Sequence, residues 1–241
     1  MTVDGRFLIA AVPMRDHVEL TERLVQSILA GGETDRVIVF DNDSRSRAAQ
    51  TTWLRQAERV SWRPRSGDGI IYQLWNEAWR DALGLWRTTG QLVDLAILNN
   101  DIVLPPDAMG LMSRALRAAP DDIWAVYPDY RLPPGEPTCA NPPELERTWG
   151  TYNLGGLSGF AFMLRPELHD EAGWPFIDEQ FEWLCGDGDL VQEMQRLGGQ
   201  AARVLGLPCQ HSPRTTSTDG RNTWTFAAAN RDRIRRTAKW G

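Results

Sequence analysis

Three clusters of oxygen-bearing or basic side chains each close an apolar run. Asn99-Asn100-Asp101 interrupts "LAILNNDIVLPP" (95–106), Asp41-Asn42-Asp43 ends "RVIVFDND" (36–43), and Pro13-Met14-Arg15 follows "RFLIAAV" (6–12). Carboxylate and amide oxygens are hard donors that bind water and divalent cations well. The same residues are ordinary turn formers, and turn chemistry accounts for any one cluster taken alone. Two further features carry chemistry. "GDGDL" (186–190) places Asp187 and Asp189 just before a helical apolar stripe, where an acid can cap a helix or accept a proton. His211 closes the apolar run "AARVLGLPCQH" (201–211).

The elements that must carry these groups follow from hydrophobic periodicity. Residues 6–13 form a short, fully apolar strand. Asp16 and Glu19 make a capping-box pattern before a helix with Leu20, Leu24, Val25, Ile28 and Leu29 at helical spacing, closed by Gly31-Gly32. Residues 36–42 are a second strand, and a helix through Trp53 and Leu54 and a short strand near Val60-Ser61-Trp62 follow. Residues 70–87 predict a long helix, and 92–98 the strand that delivers Asn99-Asn100-Asp101. Apolar strands alternating with amphipathic helices imply a mostly parallel sheet with helices on both faces, whose ligands bind beyond the carboxyl ends of the strands. Three polar clusters converging on that edge suggest a site rather than three turns. Beyond 128 the pattern is less regular. Residues 128–156 read as a long ordered loop, 156–168 as a strand and turn, 187–200 as a helix, and 201–211 as a last strand.

The 241 residues are enough for one large domain, and the formal net charge of −6 disfavours nucleic acid or an anionic membrane as partner. Arg231, Arg233, Arg235, Arg236 and Lys239 form a local basic run, read as a solvated helix with a contact to phosphates or a membrane surface as the alternative. No stretch is apolar enough to span a membrane, the first residues lack a signal-peptide pattern, and Cys139, Cys185 and Cys209 form no Cys-x-x-Cys pair. Together these favour a reduced, cytoplasmic protein. Eleven Trp residues exceed ordinary usage, consistent with stacking on sugars or nucleobases as well as with core packing.

In this order the pieces resemble the family 2 glycosyltransferases, which have the GT-A fold: a strand ending at Pro13, "FDNDS", Asn76 in the helix before the central strand, "LNNDIVL" in place of an Asp-x-Asp motif, "GLSGFAFMLR", "FIDEQFEWLCGDGDL" and His211. The resemblance implies a GT-A-like single α/β domain over 1–211, with 1–104 holding a nucleotide-sugar donor and 105–211 shaping the acceptor side. A helical tail is expected in 212–241, near Asn222–Lys239. It also implies inverting sugar transfer to a glycan or other hydroxyl acceptor, assisted by Mn²⁺ or Mg²⁺ at the diphosphate. Asp101 would ligate the metal directly and His211 would be a further metal or diphosphate contact. Asn99 would meet the ribose or a metal-bound water, and Asn100 completes the donor motif. Asp41 would bond the base or ribose in a pocket shaped by Pro13 and Arg15, with a capping turn at Asp43-Ser44 as the alternative that can hold at the same time. Asn76 would lie beside the diphosphate, unless it is a buried side chain bonded to a neighbouring loop. Asp187 would be the general base, and Asp189 an acid in the first helical turn. Trp149, Tyr152 and Trp183 could stack on an acceptor sugar or serve packing alone. The sequence departs from the family at Asn99, where an Asp often stands, and at Gly186, where the acidic motif lacks its first carboxylate. A sugar-nucleotide pyrophosphorylase would need a Gly-rich, basic loop after the first strand, and "VPMRDH" has no glycine. A non-catalytic carbohydrate-binding domain would have no need of Asp101, Asp187 and His211 together.

Overall fold

The alternation of apolar and amphipathic segments builds one eight-stranded sheet. The computed structural model describes residues 5–42, 44, 52–65, 71–148, 156–171, 176–182, 184–211 and 224–241. Its strands are β1 Phe7–Met14, β2 Arg36–Asn42, β3 Val60–Arg65, β4 Val93–Leu98, β5 Ile102–Val103, β6 Ile123–Asp129, β7 Leu145–Thr148, β8 Ala161–Leu164, β9 Gln200–Pro208 and β10 Gln210–His211. Its helices are α1 Val18–Ala30, α2 Thr52–Gln56, α3 Ile71–Thr89, α4 Ala108–Ala118, α5 Pro166–Glu171, α6 Gly186–Arg196 and α7 Trp224–Trp240. The sheet order is β3-β2-β1-β4-β8-β6-β9-β7, and β5 and β10 form a separate two-stranded ribbon. Strands β3, β2, β1 and β4 are mutually parallel; β8 runs against both β4 and β6, and edge strand β7 runs against β9. Six of the eight strands therefore share one direction, within an α/β fold that is mixed rather than purely parallel.

The apolar character of β1 reflects burial on both faces. Leu8, Ala10, Val12 and Met14 enter a core shared with α1 and α4, while Ile9 and Ala11 enter a second core shared with α3 and α6. Register pairs Met14 with Asp41 and Ala11 with Ile97, so β1, β2 and β4 end on one edge of the sheet. None of the described helices is long and apolar enough to cross a membrane.

Several local expectations change. The Asp16–Glu19 capping box does not form. His17 is the N-cap, in left-handed conformation (φ 52°) with no side-chain cap bond, and Asp16 (φ 57°) spends its own N–H on Ser44 Oγ at 2.8 Å. The segment 128–156, read as loop, contains β7, and the last strand divides into β9 and β10. The helical tail is present as α7.

Candidate functional site

At the β1 and β2 ends, Asp41 is wholly buried and its Oδ1 accepts the Ser44 N–H at 3.0 Å. Ser44, itself 3% exposed, passes the connection to Asp16 through its hydroxyl. The pair of left-handed non-glycine residues at 16 and 17 is conformationally costly, about 1–3 kcal/mol each, and such strain clusters at ligand sites. Pro13 is buried and paired with Phe40, and Arg15 is half-buried on the same edge. Asp43 lies outside the described residues.

The ribbon explains how residues far apart in sequence meet. His211 on β10 stands opposite Ile102 on β5, which brings His211 Nε2 to 3.3 Å from Asp101 Oδ1. Phe160 fixes the imidazole plane: its ring stacks on His211 at 4.3 Å with a 14° interplanar angle. The Phe160 carbonyl accepts the Asn99 N–H at 2.8 Å, so one residue holds both the histidine and the start of the Asn-Asn-Asp turn. Asn99 Oδ1 is buried with no hydrogen-bond partner among the described residues. A buried polar atom without a partner is costly unless something else meets it. Asn100, by contrast, is engaged: its Nδ2 donates to Thr21 Oγ1 on α1 at 3.1 Å. Cys209 nearby is a neutral thiol, its pKa pushed up to about 12 by burial and by the charge of Asp101.

A carboxylate, an imidazole and an orphaned amide oxygen suit a divalent cation of the Mn²⁺ or Mg²⁺ type. No group of three or more His, Cys, Asp or Glu residues is placed to hold a metal among the described residues. Asp101 and His211 are the carboxylate and the imidazole that meet at this edge.

The third component is the start of α6. Cys185 turns the chain in left-handed conformation (φ 70°) into Gly186. Asp187 accepts the Gly188 N–H at 2.8 Å and the Gly159 N–H at 3.3 Å. Gly159 must be glycine, since a Cβ there would sit 2.8 Å from the Trp75 ring and 3.1 Å from Asp187 Cβ. The Gly186 N–H donates to Tyr72 Oη at 3.1 Å. Burial raises the Asp187 carboxyl above the usual carboxylate range, with the Gly159 and Gly188 N–H groups pulling the other way. Asp189 faces elsewhere. It is wholly buried, accepts the Trp240 Nε1–H at 2.9 Å and lies 2.8 Å from Lys239 Nζ on α7.

The segment Gly159-Phe160 therefore touches Asp187 on one side and Asn99 and His211 on the other. The motif "GLSGFAFMLR" stands out in the sequence, but nothing in it assigns Gly159 or Phe160 a role, and Tyr72 carries no signal of one. The only local signal was a glycine ahead of an aromatic at a strand start. Asn76 is not part of this gathering. At 2% exposure it clasps the backbone of Ile177, donating to its carbonyl at 2.8 Å and accepting its N–H at 3.1 Å, and it also donates to Glu179. This is the buried, loop-bonded alternative weighed from the sequence. Trp149, Tyr152 and Trp183 lie outside the described residues.

No protein-family model matches the chain, and no curated protein matches its sequence. Solved structures do match its fold. A mannosyltransferase from Pyrobaculum calidifontis, in complex with GDP-Man and Mn²⁺, superposes with a TM-score of 0.58 at 14% identity over 87% of this chain. The chain spans 58% of that protein's length. Glucosyl-3-phosphoglycerate synthase from Mycobacterium tuberculosis, in complex with Mn²⁺, UDP and glucosyl-3-phosphoglycerate, superposes with a TM-score of 0.56 at 17% identity, over 88% of this chain and 74% of that one. The same synthase with Mn²⁺, UDP and phosphoglyceric acid gives 0.55 at 18% identity. At these identities the likeness is one of fold, and it is the GT-A-like fold class expected from the sequence.

Proposed function

We propose that this chain is a metal-dependent glycosyltransferase of the family 2 type, moving a sugar from a nucleoside diphosphate donor to an acceptor hydroxyl with inversion. The observation that carries the reading is the meeting of Asp101 and His211, 110 positions apart in sequence, at 3.3 Å on the edge where β1, β2 and β4 end. The two similar structures named above, which hold GDP-Man or UDP together with Mn²⁺, support it. Asp101 and His211 would hold the cation, with Asn99 Oδ1 facing the ribose or a cation-bound water, and an imidazole ligand favours Mn²⁺ over Mg²⁺. When bound, the cation neutralises charge developing on the leaving diphosphate.

The chain's own groups divide the remaining work. Asp41, Pro13 and Arg15 form the donor's base and ribose pocket, fixed by the Asp41–Ser44–Asp16 relay. Asp187 accepts the proton of the acceptor hydroxyl as its oxygen bonds to the anomeric carbon. The bond from that carbon to the diphosphate breaks, and its electron pair leaves with the diphosphate. A carboxyl raised by burial suits this task near neutral pH. Asn100 and Asn76 are assigned to positioning: one ties the metal turn to α1, the other holds residues 177–179. Residues 1–104 would then serve mainly the donor and 105–211 the acceptor side.

The test is a thermal-shift panel of UDP-, GDP- and dTDP-sugars with and without Mn²⁺, since a ligand bound only by the folded state raises apparent stability. One donor class is expected to stabilise the protein only when Mn²⁺ is present. A protein indifferent to every combination overturns the reading.

A further inference from the structure

Helix α7 carries five cations, of which Arg233 is exposed and bonds Asn230 Oδ1 within the same helix at 3.2 Å. Arg231 and Arg235 pair with Glu182, and Lys239 reaches Asp189 and Asp178, so these three are committed to holding the helix on the body of the protein. Arg236 is exposed and makes no hydrogen bond or ion pair among the described residues. Its position is nevertheless fixed. Asp232, Arg236 and Trp240 lie at i, i+4 and i+8, one row along a helix face. Asp232, wholly buried, receives the N–H groups of Glu182 and Leu184 at 2.9 and 2.7 Å, and Trp240 donates to Asp189 at 2.9 Å. The middle of the row therefore lies over the residues between those contacts, Cys185–Gly188, which include Asp187. Consistent with this placement, the Arg236 charge acts on both Cys185 and Asp187.

Among the described residues Arg236 lacks the carboxylate partner that Arg231 and Arg235 have in Glu182. We infer that Arg236 is an acceptor-binding residue, and that the acceptor carries an anionic oxygen group, carboxylate or phosphate, close to its reacting hydroxyl. The inference rests on the reading of Asp187 as the base. The guanidinium offers a planar pair of donors matched to such oxygens. Its charge, which acts on the Asp187 carboxylate, also offsets the repulsion between Asp187 and an anionic acceptor.

The test follows the backbone amide resonances of Cys185–Gly188 while glycerol, glycerate or glycerol 3-phosphate is added to the full chain. The anions are expected to shift these amides saturably and glycerol is not; a response to one anion only identifies carboxylate or phosphate as the group. Arg236→Gln should weaken anion binding about tenfold or more, the loss of a charge-assisted hydrogen bond. Arg236→Lys, keeping the charge, should retain most of it. Equal shifts with glycerol, or anion binding unchanged in Arg236→Gln, overturn the inference. The readout needs neither donor nor turnover. Anion binding at Arg236 in a protein that turns over no nucleotide sugar refutes the transferase reading alone. A working transferase whose preference for anionic over neutral acceptors survives Arg236→Gln refutes the anion site alone.

Discussion

Replacing Asp187 by Asn separates proton transfer from every other contribution at the α6 start. The amide keeps the shape and one acceptor oxygen, which can retain the 2.8 Å bond from the Gly188 N–H. Its NH₂ then faces the Gly159 N–H, previously bonded at 3.3 Å, so one hydrogen bond is lost and two donors oppose each other. A lost buried hydrogen bond costs about 1–2 kcal/mol, which leaves the protein folded. Turnover should fall by about 10²-fold or more, the range for losing a general base, equivalent to at least about 2.7 kcal/mol in the barrier. Donor affinity by calorimetry should be unchanged, because the base touches the acceptor hydroxyl. Asp189→Asn provides the contrast: it weakens the contacts to Lys239 and Trp240 and should cost about 1–3 kcal/mol of stability with little effect on the rate of folded molecules. Normal turnover in Asp187→Asn, with Asp189→Asn folded but inactive, would show that the two roles are reversed.

Asp101→Ala should abolish the Mn²⁺-dependent part of donor affinity in calorimetry, and a fully retained Mn²⁺ effect would refute its assignment. Phe160→Ala removes the surface on which His211 is stacked and should weaken Mn²⁺ binding about 10-fold, measured by titration of the metal, as for other groups that orient metal ligands. Around Asp187 stand the Gly159 and Gly188 N–H groups, Tyr72 from α3, Cys185 and Arg236 from α7, with burial the largest influence. Because the base must be ionised, kcat/KM should fall in acid through a limb above the ordinary carboxylate range, and Arg236→Gln should move that limb higher; a limb at the ordinary value contradicts this. At the opposite edge of the sheet Arg6 bonds Asp94 and Glu167, and Ser113 also bonds Asp94, all four buried. Asp94→Ala removes one of the two carboxylates on Arg6 and the acceptor of Ser113, leaving Arg6 paired with Glu167, and should cost about 1–3 kcal/mol in chemical denaturation, while Mn²⁺-dependent donor binding persists in the folded fraction.

The first half of the fold, through β4, was legible because its signals are local. Continuous apolar runs and helical stripes of 3.6-residue period mark β1 to β4 with the intervening helices, and parallel pairing then forces their polar ends onto one edge. The second half depends on pairings that no local pattern encodes. Insertion of β8 between β4 and β6 is a choice of partners distant in sequence, and β5 and β10 are two residues each, too short to show periodicity. Hence His211 could be singled out, but its meeting with Asp101 over Phe160 could not be read from spacing. The capping box failed for a related reason: Ser44, from the next strand end, takes the Asp16 N–H and holds a backbone that local preference disfavours. Asn76 shows the ambiguity of a lone polar residue on an apolar helix face, where ligand contact and loop anchoring look alike in sequence.

The bonds from Glu182 and Leu184 to Asp232 span 50 and 48 positions, and Asp232 is wholly buried only while α7 is docked. The bonds that hold this helix run to Glu182, Leu184 and Asp189, so its release would require no main-sheet strand to part. Amide hydrogen exchange at Glu182 and Leu184 should report that opening directly, at a lower free energy than exchange in β1 or β4. Because the same helix holds Asp189 and places Arg236, the acceptor side should lose its geometry in mild denaturant before the sheet unfolds, with donor binding outlasting transfer.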